Sequence, residues 1–164
     1  MLRTMMAVLA LWLLAAVCGP VAQAAPDHLP DHVMGGNATS VEDAKAMVLK
    51  AAEELSKGGL ERACSEFQTK NGPFWQGDLY VFVLDFDGVW RCYPPKPEAV
   101  GTVLLLLQDV DGKFFIQEMV DIARNGGDGW VEYKWKNPQN GQIQPKTSFV
   151  KRVGGLVVAA GVFH

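Results

Sequence analysis

The stretch GWVEYKWKNPQNGQIQPKTSF, residues 129–149, constrains the fold of this chain more than any other. Two β-rich runs, 130–136 and 146–153, flank Asn137-Pro138-Gln139-Asn140-Gly141, and this predicts a hairpin with a loop longer than two residues. In the first run Val131, Tyr133 and Trp135 share one face, while Glu132, Lys134 and Lys136 share the other. The aromatic face is expected to point inward. Lys146 opens the return strand, close enough to lie across from the end carrying Tyr133 and Trp135. Two aromatics beside one cation can receive a small anion: the rings exclude water and the ammonium supplies a charge-assisted hydrogen bond. The same spacing also fits two core aromatics and an exposed strand-end lysine, which is the commoner arrangement.

Residues 1–24 read as a secretory signal, with Arg3 in the positive region, an apolar run over 7–17, and Ala22-Gln23-Ala24 as the cleavage site. The mature chain is expected to begin at Ala25 and to be periplasmic or secreted. A bilayer span needs about 20 apolar residues, and Gly19-Pro20 interrupts this run, so no membrane anchor is expected after cleavage. Cys18 suggests a lipid attachment site, but Val17 stands where a small residue is wanted and Ala15 where leucine is usual. Losing Arg3 reduces 15 Lys+Arg to 14 against 18 Asp+Glu, a charge of −4. No basic block remains, which argues against nucleic acid as a partner. Export permits Cys64 and Cys92 to pair, although two buried thiols fit the sequence as well.

Residues 25–40 have no periodicity and read as an exposed lead-in. Their repeated Pro-Asp-His could hold a divalent metal, but Pro30 forbids the helix that would align His28 with His32, and a solvated linker is simpler. Asn37-Ala38-Thr39 is a glycosylation sequon of consequence only in a secreted eukaryotic protein. Thr39 and Glu42 have capping-box spacing, and Val41, Ala44, Met47, Val48, Ala51 and Leu55 then recur with helical period. Gly58-Gly59 should end that helix, with a second short one over 60–67. A strand over 79–85, a turn at Asp87-Gly88 and a return strand over 89–93 follow. Pro94, Pro95 and Pro97 force an extended loop to about Gly101. Asp109-Val110-Asp111-Gly112 is expected to cap a helix over 113–125, with Phe115, Met119, Ile122 and Ala123 on one face. It is also half a calcium loop, but the twelfth position is Val120 instead of glutamate, so turn chemistry is the better reading. Gly126-Gly127 stops the helix, and 156–163 is a final strand.

The three histidines, His28, His32 and His164, fall outside the expected core, which removes the commonest general base and metal ligand from a central site. Asp85, Asp87 and Glu118 suit turn and helix-surface positions. No nucleophile elbow, Walker loop, dinucleotide glycine pattern or Cys-x-x-Cys is present. A binding protein without cofactor is expected in preference to an enzyme.

The order of elements and a set of short motifs resemble the extracytoplasmic single Cache domains of the second type. The motifs are Gly77-Asp78-Leu79-Tyr80-Val81-Phe82-Val83 with Asp85 and Gly88; Pro94 and Gly101; Asp111-Gly112-Lys113 with Glu118-Met119-Val120; Gly129-Trp130-Val131 with Tyr133 and Trp135; then Lys146, Val150 and Gly161. The likeness covers about residues 41–163, taken as one domain. It implies an α+β, PAS-like fold: a long N-terminal helix packed on a curved antiparallel sheet of about five or six strands, with a small-ligand cavity on the other face. It also implies a sensory module of the kind found in chemoreceptors and histidine kinases, binding a small organic acid or amino acid without converting it. With no kinase or membrane helix read in this chain, its signal is expected to pass to a separate receptor or kinase.

In that frame Tyr133 and Trp135 wall the cavity, Lys146 neutralises the anion, Tyr80 and Tyr93 orient it, and Met119 lies in the cover. The chain departs from the family at Tyr93, where histidine is frequent, and at Phe163, where a tyrosine is frequent. If Tyr93 faces the cavity, strand parity brings Arg91 to the same face as a second carboxylate donor. An exposed arginine near the sheet edge is the alternative. Parity then turns Trp90 and Cys92 to the helix-covered face, where Cys64 lies, and favours a Cys64–Cys92 bridge. A different function is an interaction or accessory protein of a membrane signalling complex, its cavity filled by its own side chains. Its partner surface would then include Lys134, Lys136, Lys151 and Arg152.

Overall fold

The computed structural model describes residues 39–164. The expected signal segment, most of the lead-in, and with them Cys18, His28, His32 and Asn37 lie outside the described residues.

Helix α1 (Val41–Phe67) opens the fold. Its cap is shifted by one residue from the expected Thr39–Glu42 pair. The Ser40 hydroxyl accepts from Asp43 N at 3.1 Å, and the Asp43 carboxylate accepts from Ser40 N at 2.9 Å. Both pairs have the required spacing, but the Ser40 register leaves Ala44, Met47, Val48, Ala51 and Leu55 buried. The bonds from Ser40 hold the Asp43 carboxyl below its usual range. Gly59, at φ 73°, breaks the helical path where the paired glycines predict a stop, and the helix resumes to bury Ala63 and Phe67.

Strands β1 (Trp75–Gln76), β2 (Leu79–Asp85), β3 (Trp90–Cys92), β4 (Asp128–Lys136), β5 (Ile143–Val153) and β6 (Leu156–Phe163) form one six-stranded sheet in the order β1-β2-β6-β5-β4, with β3 also pairing β2. All pairings are antiparallel. One face carries Leu79, Val81, Val83, Phe149, Val158 and Ala160 against α1. The other carries Tyr80, Phe82, Leu84, Val150 and Ala159 against α2 (Phe115–Asn125), whose Phe115, Ile116, Met119, Val120 and Ala123 are buried. The expected long N-terminal helix on one face of an antiparallel sheet is therefore observed, and the face expected to hold a small-ligand cavity carries a second core cluster under α2.

Two local expectations need correction. The Asp85 carboxylate closes the β2–β3 turn by accepting from Asp87 N at 2.9 Å and Val89 N at 3.0 Å. Val83 then pairs with Cys92 but Leu84 pairs with Trp90, so Arg91 is the extra residue of a bulge. The bulge breaks simple alternation. Cys92 faces α1 and is bonded to Cys64 across a Cα–Cα distance of 5.8 Å. Trp90, expected beside Cys92, packs instead on the α2 face. Arg91, expected on the cavity face, is exposed and donates from Nε to Asp85 at 2.8 Å.

The second correction concerns Asp109, which does not cap α2. Its carboxylate accepts from Asp111 N and Lys113 N, both at 2.9 Å, and from Lys134 N at 3.0 Å. It folds its own loop and ties that loop to the outer edge of β4. A carboxylate with three local backbone donors is already satisfied there, and α2 starts at Phe115 without a side-chain cap.

The β4–β5 hairpin places Tyr133 directly opposite Lys146. β5 starts at Ile143, earlier than expected, because Asn137 organises the loop: its side chain donates to Gln144 at 2.8 Å and accepts from Gln139 N at 2.9 Å. Among the described residues, no helix is long and apolar enough to cross a membrane.

The Cys64–Cys92 bridge closes a loop of sequence separation 28. Removing it by Cys64→Ser with Cys92→Ser should lower unfolding stability by about 3–4 kcal/mol, read as an earlier denaturant midpoint with a somewhat steeper slope, because the unbridged unfolded chain exposes more surface.

Candidate ligand-binding site

On the α2 face the sheet carries its one fully buried cation among the described residues. Lys146 is 1% exposed, and its Nζ has no hydrogen-bond partner in the protein. It is there because residues 146, 148 and 150 of β5 share that face, and the covered sheet leaves the side chain no route to water. Its Nζ lies 4.1 Å from the Tyr80 ring centroid, 4.4 Å from that of Phe163 and 5.8 Å from that of Phe82. Burial pulls its pKa down to about 7, with Asp78 acting in the opposite direction. The rings attract an ammonium but offer no acceptor to its three N–H donors.

On the neighbouring strand Gly161 pairs with Ser148 of β5 and lets its side chain pack against the β6 backbone. A Cβ at Gly161 would collide with the Ser148 hydroxyl and the backbone at Thr147 and Ser148. Ser148 is fully buried, and its Oγ shares a 3.0 Å hydrogen bond with the Tyr133 hydroxyl. Tyr133 stacks on Phe115 of α2, with centroids 4.4 Å apart and planes 3° from parallel. Tyr93 stacks on Trp90 at 4.4 Å and meets Tyr80 edge-on at 5.9 Å. Burial raises the pKa of both Tyr80 and Tyr133, so these hydroxyls stay protonated. They can donate to an anion and cannot act as bases near neutral pH.

Of the residues singled out in the sequence, Lys146, Tyr80, Tyr93, Tyr133 and Met119 are buried on this face, with Trp135 partly buried beside them. Met119 lies in the cover and is fully buried. The Trp135 indole N–H points at the Tyr93 hydroxyl across 3.5 Å. Arg91 is not among them. Residues not singled out for the site are Phe82, Trp90, Phe115 and Ser148, together with Asp78 at the head of β2. Phe82 and Ser148 follow Tyr80 and Lys146 by two, a parity signal available in the sequence. Trp90 was hidden by the bulge. The Asp78 carboxylate lies 3.4 Å from the Asn137 amide and also walls an open hollow of about 800 Å³ between α1 and the segment before β2. None of the charged residues that line that hollow is buried. A smaller groove of about 420 Å³ runs along β4 and β5 and touches Tyr133 and Lys146. The desolvated cation, more than either volume, makes this face the candidate site.

Across residues 27–161 the chain matches the family described as Single Cache domain 2. It belongs to that family. This Cache domain is 40% identical over 88 residues to the sensor histidine kinase MctS of Rhizobium johnstonii, an overlap of 52% of this chain and 19% of that protein. It is 27% identical over 117 residues to the methyl-accepting chemotaxis protein McpP of Pseudomonas putida, covering 70% of this chain and 21% of that one. The chain thus spans about a fifth of the length of these relatives.

Among solved structures, a methyl-accepting chemotaxis protein from Vibrio parahaemolyticus superposes with a TM-score of 0.65 at 21% identity, covering 74% of this chain and 86% of that one. A periplasmic sensor domain of a chemotaxis protein gives 0.61 at 27% identity, with 75% and 89% covered. A Cache chemosensory domain described for its carboxylic acid recognition gives 0.60 at 23%, with 75% and 87% covered. The fold of this Cache domain is that of these sensor domains.

Lys146 has a proton affinity in the folded chain below its unfolded value of 10.5. Between about pH 7 and 10.5 the unfolded chain therefore binds the extra proton, and this group's contribution to stability rises with pH across that window. Lys146→Met should stabilise the ligand-free protein by about 1–4 kcal/mol near pH 6. Its advantage over wild type should shrink as pH approaches 10, as followed by denaturant melts at several pH values.

Proposed function

We propose that this Cache domain is an extracytoplasmic sensory module that binds a small organic anion, a short carboxylate or an amino acid, without converting it. Occupancy is passed to a separate membrane receptor or histidine kinase. The observation that carries this reading is the Lys146 amine, buried without a hydrogen-bond acceptor among rings that exclude water. A carboxylate supplies the missing acceptor and the missing counter-charge together. The Tyr80, Tyr93 and Tyr133 hydroxyls are the neighbouring groups able to orient it, Trp135 closes the wall and Met119 the cover. Arg91 is committed to Asp85 at the sheet edge and takes no part.

The relatives support this use of the fold: one is a sensor kinase, one a chemotaxis receptor, and one solved Cache domain is described for recognising carboxylic acids. Binding without conversion is supported by the site's chemistry. The described histidine, His164, is exposed and its ring is bonded to the Thr147 hydroxyl at 2.9 Å. A secretory signal over residues 1–24 and a periplasmic or secreted location accord with a sensor of this kind.

A second reading has its own observation. Phe115 and Tyr133, and Trp90 and Tyr93, stack closely over the site and occupy space a ligand needs. In that case the domain is a closed-core accessory protein of a signalling complex.

A thermal-shift screen of residues 25–164 with short carboxylates and amino acids separates the two. A ligand at a hundred times its dissociation constant should stabilise by about 2.7 kcal/mol. The shift should disappear in Lys146→Met and persist in Arg91→Ala. A folded sample that answers to none of these compounds would establish the closed-core reading.

A further inference from the structure

The amine of Lys146 poses a question of charge that a carboxylate site does not by itself answer. A lysine waiting for an anion on a protein surface keeps its proton through contacts with water. This one is 1% exposed, has no hydrogen-bond partner in the protein and lies against three rings.

The groups that face it are few. From β2 come the Tyr80 hydroxyl and Asp78 at the strand's head. From β4 comes Tyr133, tied to Ser148 of β5. From β6 comes Phe163, and the groove that touches Lys146 is lined by Asp109, Asp111, Lys113, Glu132, Lys134 and His164, whose ring turns to Thr147. α2 contributes Phe115 and Met119, which carry no charge. Among the described residues, Asp78 is the carboxylate whose field reaches the amine, and its own bond is to Asn137. Asp78 only partly offsets the burial, and no acceptor in the protein bonds the ammonium.

We propose that anion binding at Lys146 is coupled to uptake of a proton, so that the domain takes up an acid equivalent and reports the anion and the external pH together. The inference rests on the carboxylate reading of the site and adds the charge state to it. In the empty site the amine is largely neutral above neutral pH, because desolvation disfavours its charged form. An arriving carboxylate reverses that preference: the proton stays between amine and anion, and one charge-assisted pair replaces two separate desolvated charges. The proton count is the same whether the ligand enters as anion followed by proton or as the neutral acid. Tighter binding at lower pH follows from linkage.

Calorimetric titration of the protein with acetate and with propionate tests this, in two buffers of different ionisation enthalpy. At about pH 7.5 binding should take up more than half a proton, and at about pH 6 almost none. Above about pH 8 the apparent dissociation constant should rise close to tenfold per pH unit. In ligand-free protein with carbon-13 lysine, one side-chain Cε should titrate near pH 7 and be absent in Lys146→Met. Binding with no proton uptake would overturn the coupling and leave the carboxylate reading standing. A Lys146 signal titrating with the surface lysines would overturn it equally. Binding of neither acid would overturn both for these ligands.

Discussion

A sheet covered on both faces leaves its central strands no solvent side, and the consequences reach every part of this structure. On β2 and β6 every residue but those at the ends is buried, so alternate side chains belong to two different cores. On the α1 side this produces an ordinary aliphatic interior. On the α2 side the same constraint buries Lys146, because its position in β5 shares the face of Ser148 and Val150. The site exists because strand parity overrides the solvation preference of one amine, at a cost in stability that the apolar burial around it has to offset.

Parity was also what made most of the fold readable. The inward face of β4, the helical stripe of α1, the glycine stop at its middle and the last strand all follow from periodicities of two or 3.6 and from turn residues. The misreadings come from places where a side chain rewrites the local backbone. Asp85 folds the β2–β3 turn and pairs with Arg91, and the resulting bulge separates Trp90 from Cys92. The disulfide reasoning reached the right pair because Cys92 lies on the α1 face, while the same reasoning misplaced Trp90 and Arg91. Asp109 had the composition of a helix cap, but three backbone donors within reach, one of them from β4, claimed it. A contact 25 residues distant in sequence leaves no periodic trace.

The site was legible in part for the same reason. Tyr133 facing Lys146 is a register statement, available once the hairpin is assumed. What the sequence does not display is the depth of the amine. That depends on β6 lying between β5 and β2, which brings Tyr80 and Phe163 around Nζ from strands far apart in the chain. Gly161 has meaning only in that arrangement, where its missing side chain makes room for Ser148.

The two covers of the sheet are held differently. α1 is fixed by its aliphatic stripe and by the Cys64–Cys92 bond, so it yields only with the core beneath it. The α2 cover buries Phe115, Ile116, Met119, Val120 and Ala123 and is tied at its rim by polar contacts: Lys134 N to Asp109, Lys113 Nζ to the Glu132 carbonyl at 2.6 Å, and Arg124 to the Phe86 carbonyl at 2.9 Å. The two exposed contacts, from Lys113 and Arg124, exchange readily with water and contribute about 1 kcal/mol each. Beneath that rim, Phe115 stacked on Tyr133 is the nearest part of α2 to the cage. The amine's cage and α2 thus share one face of the sheet while α1 covers the other, so a change of charge at Lys146 acts on the core that α2 helps to form.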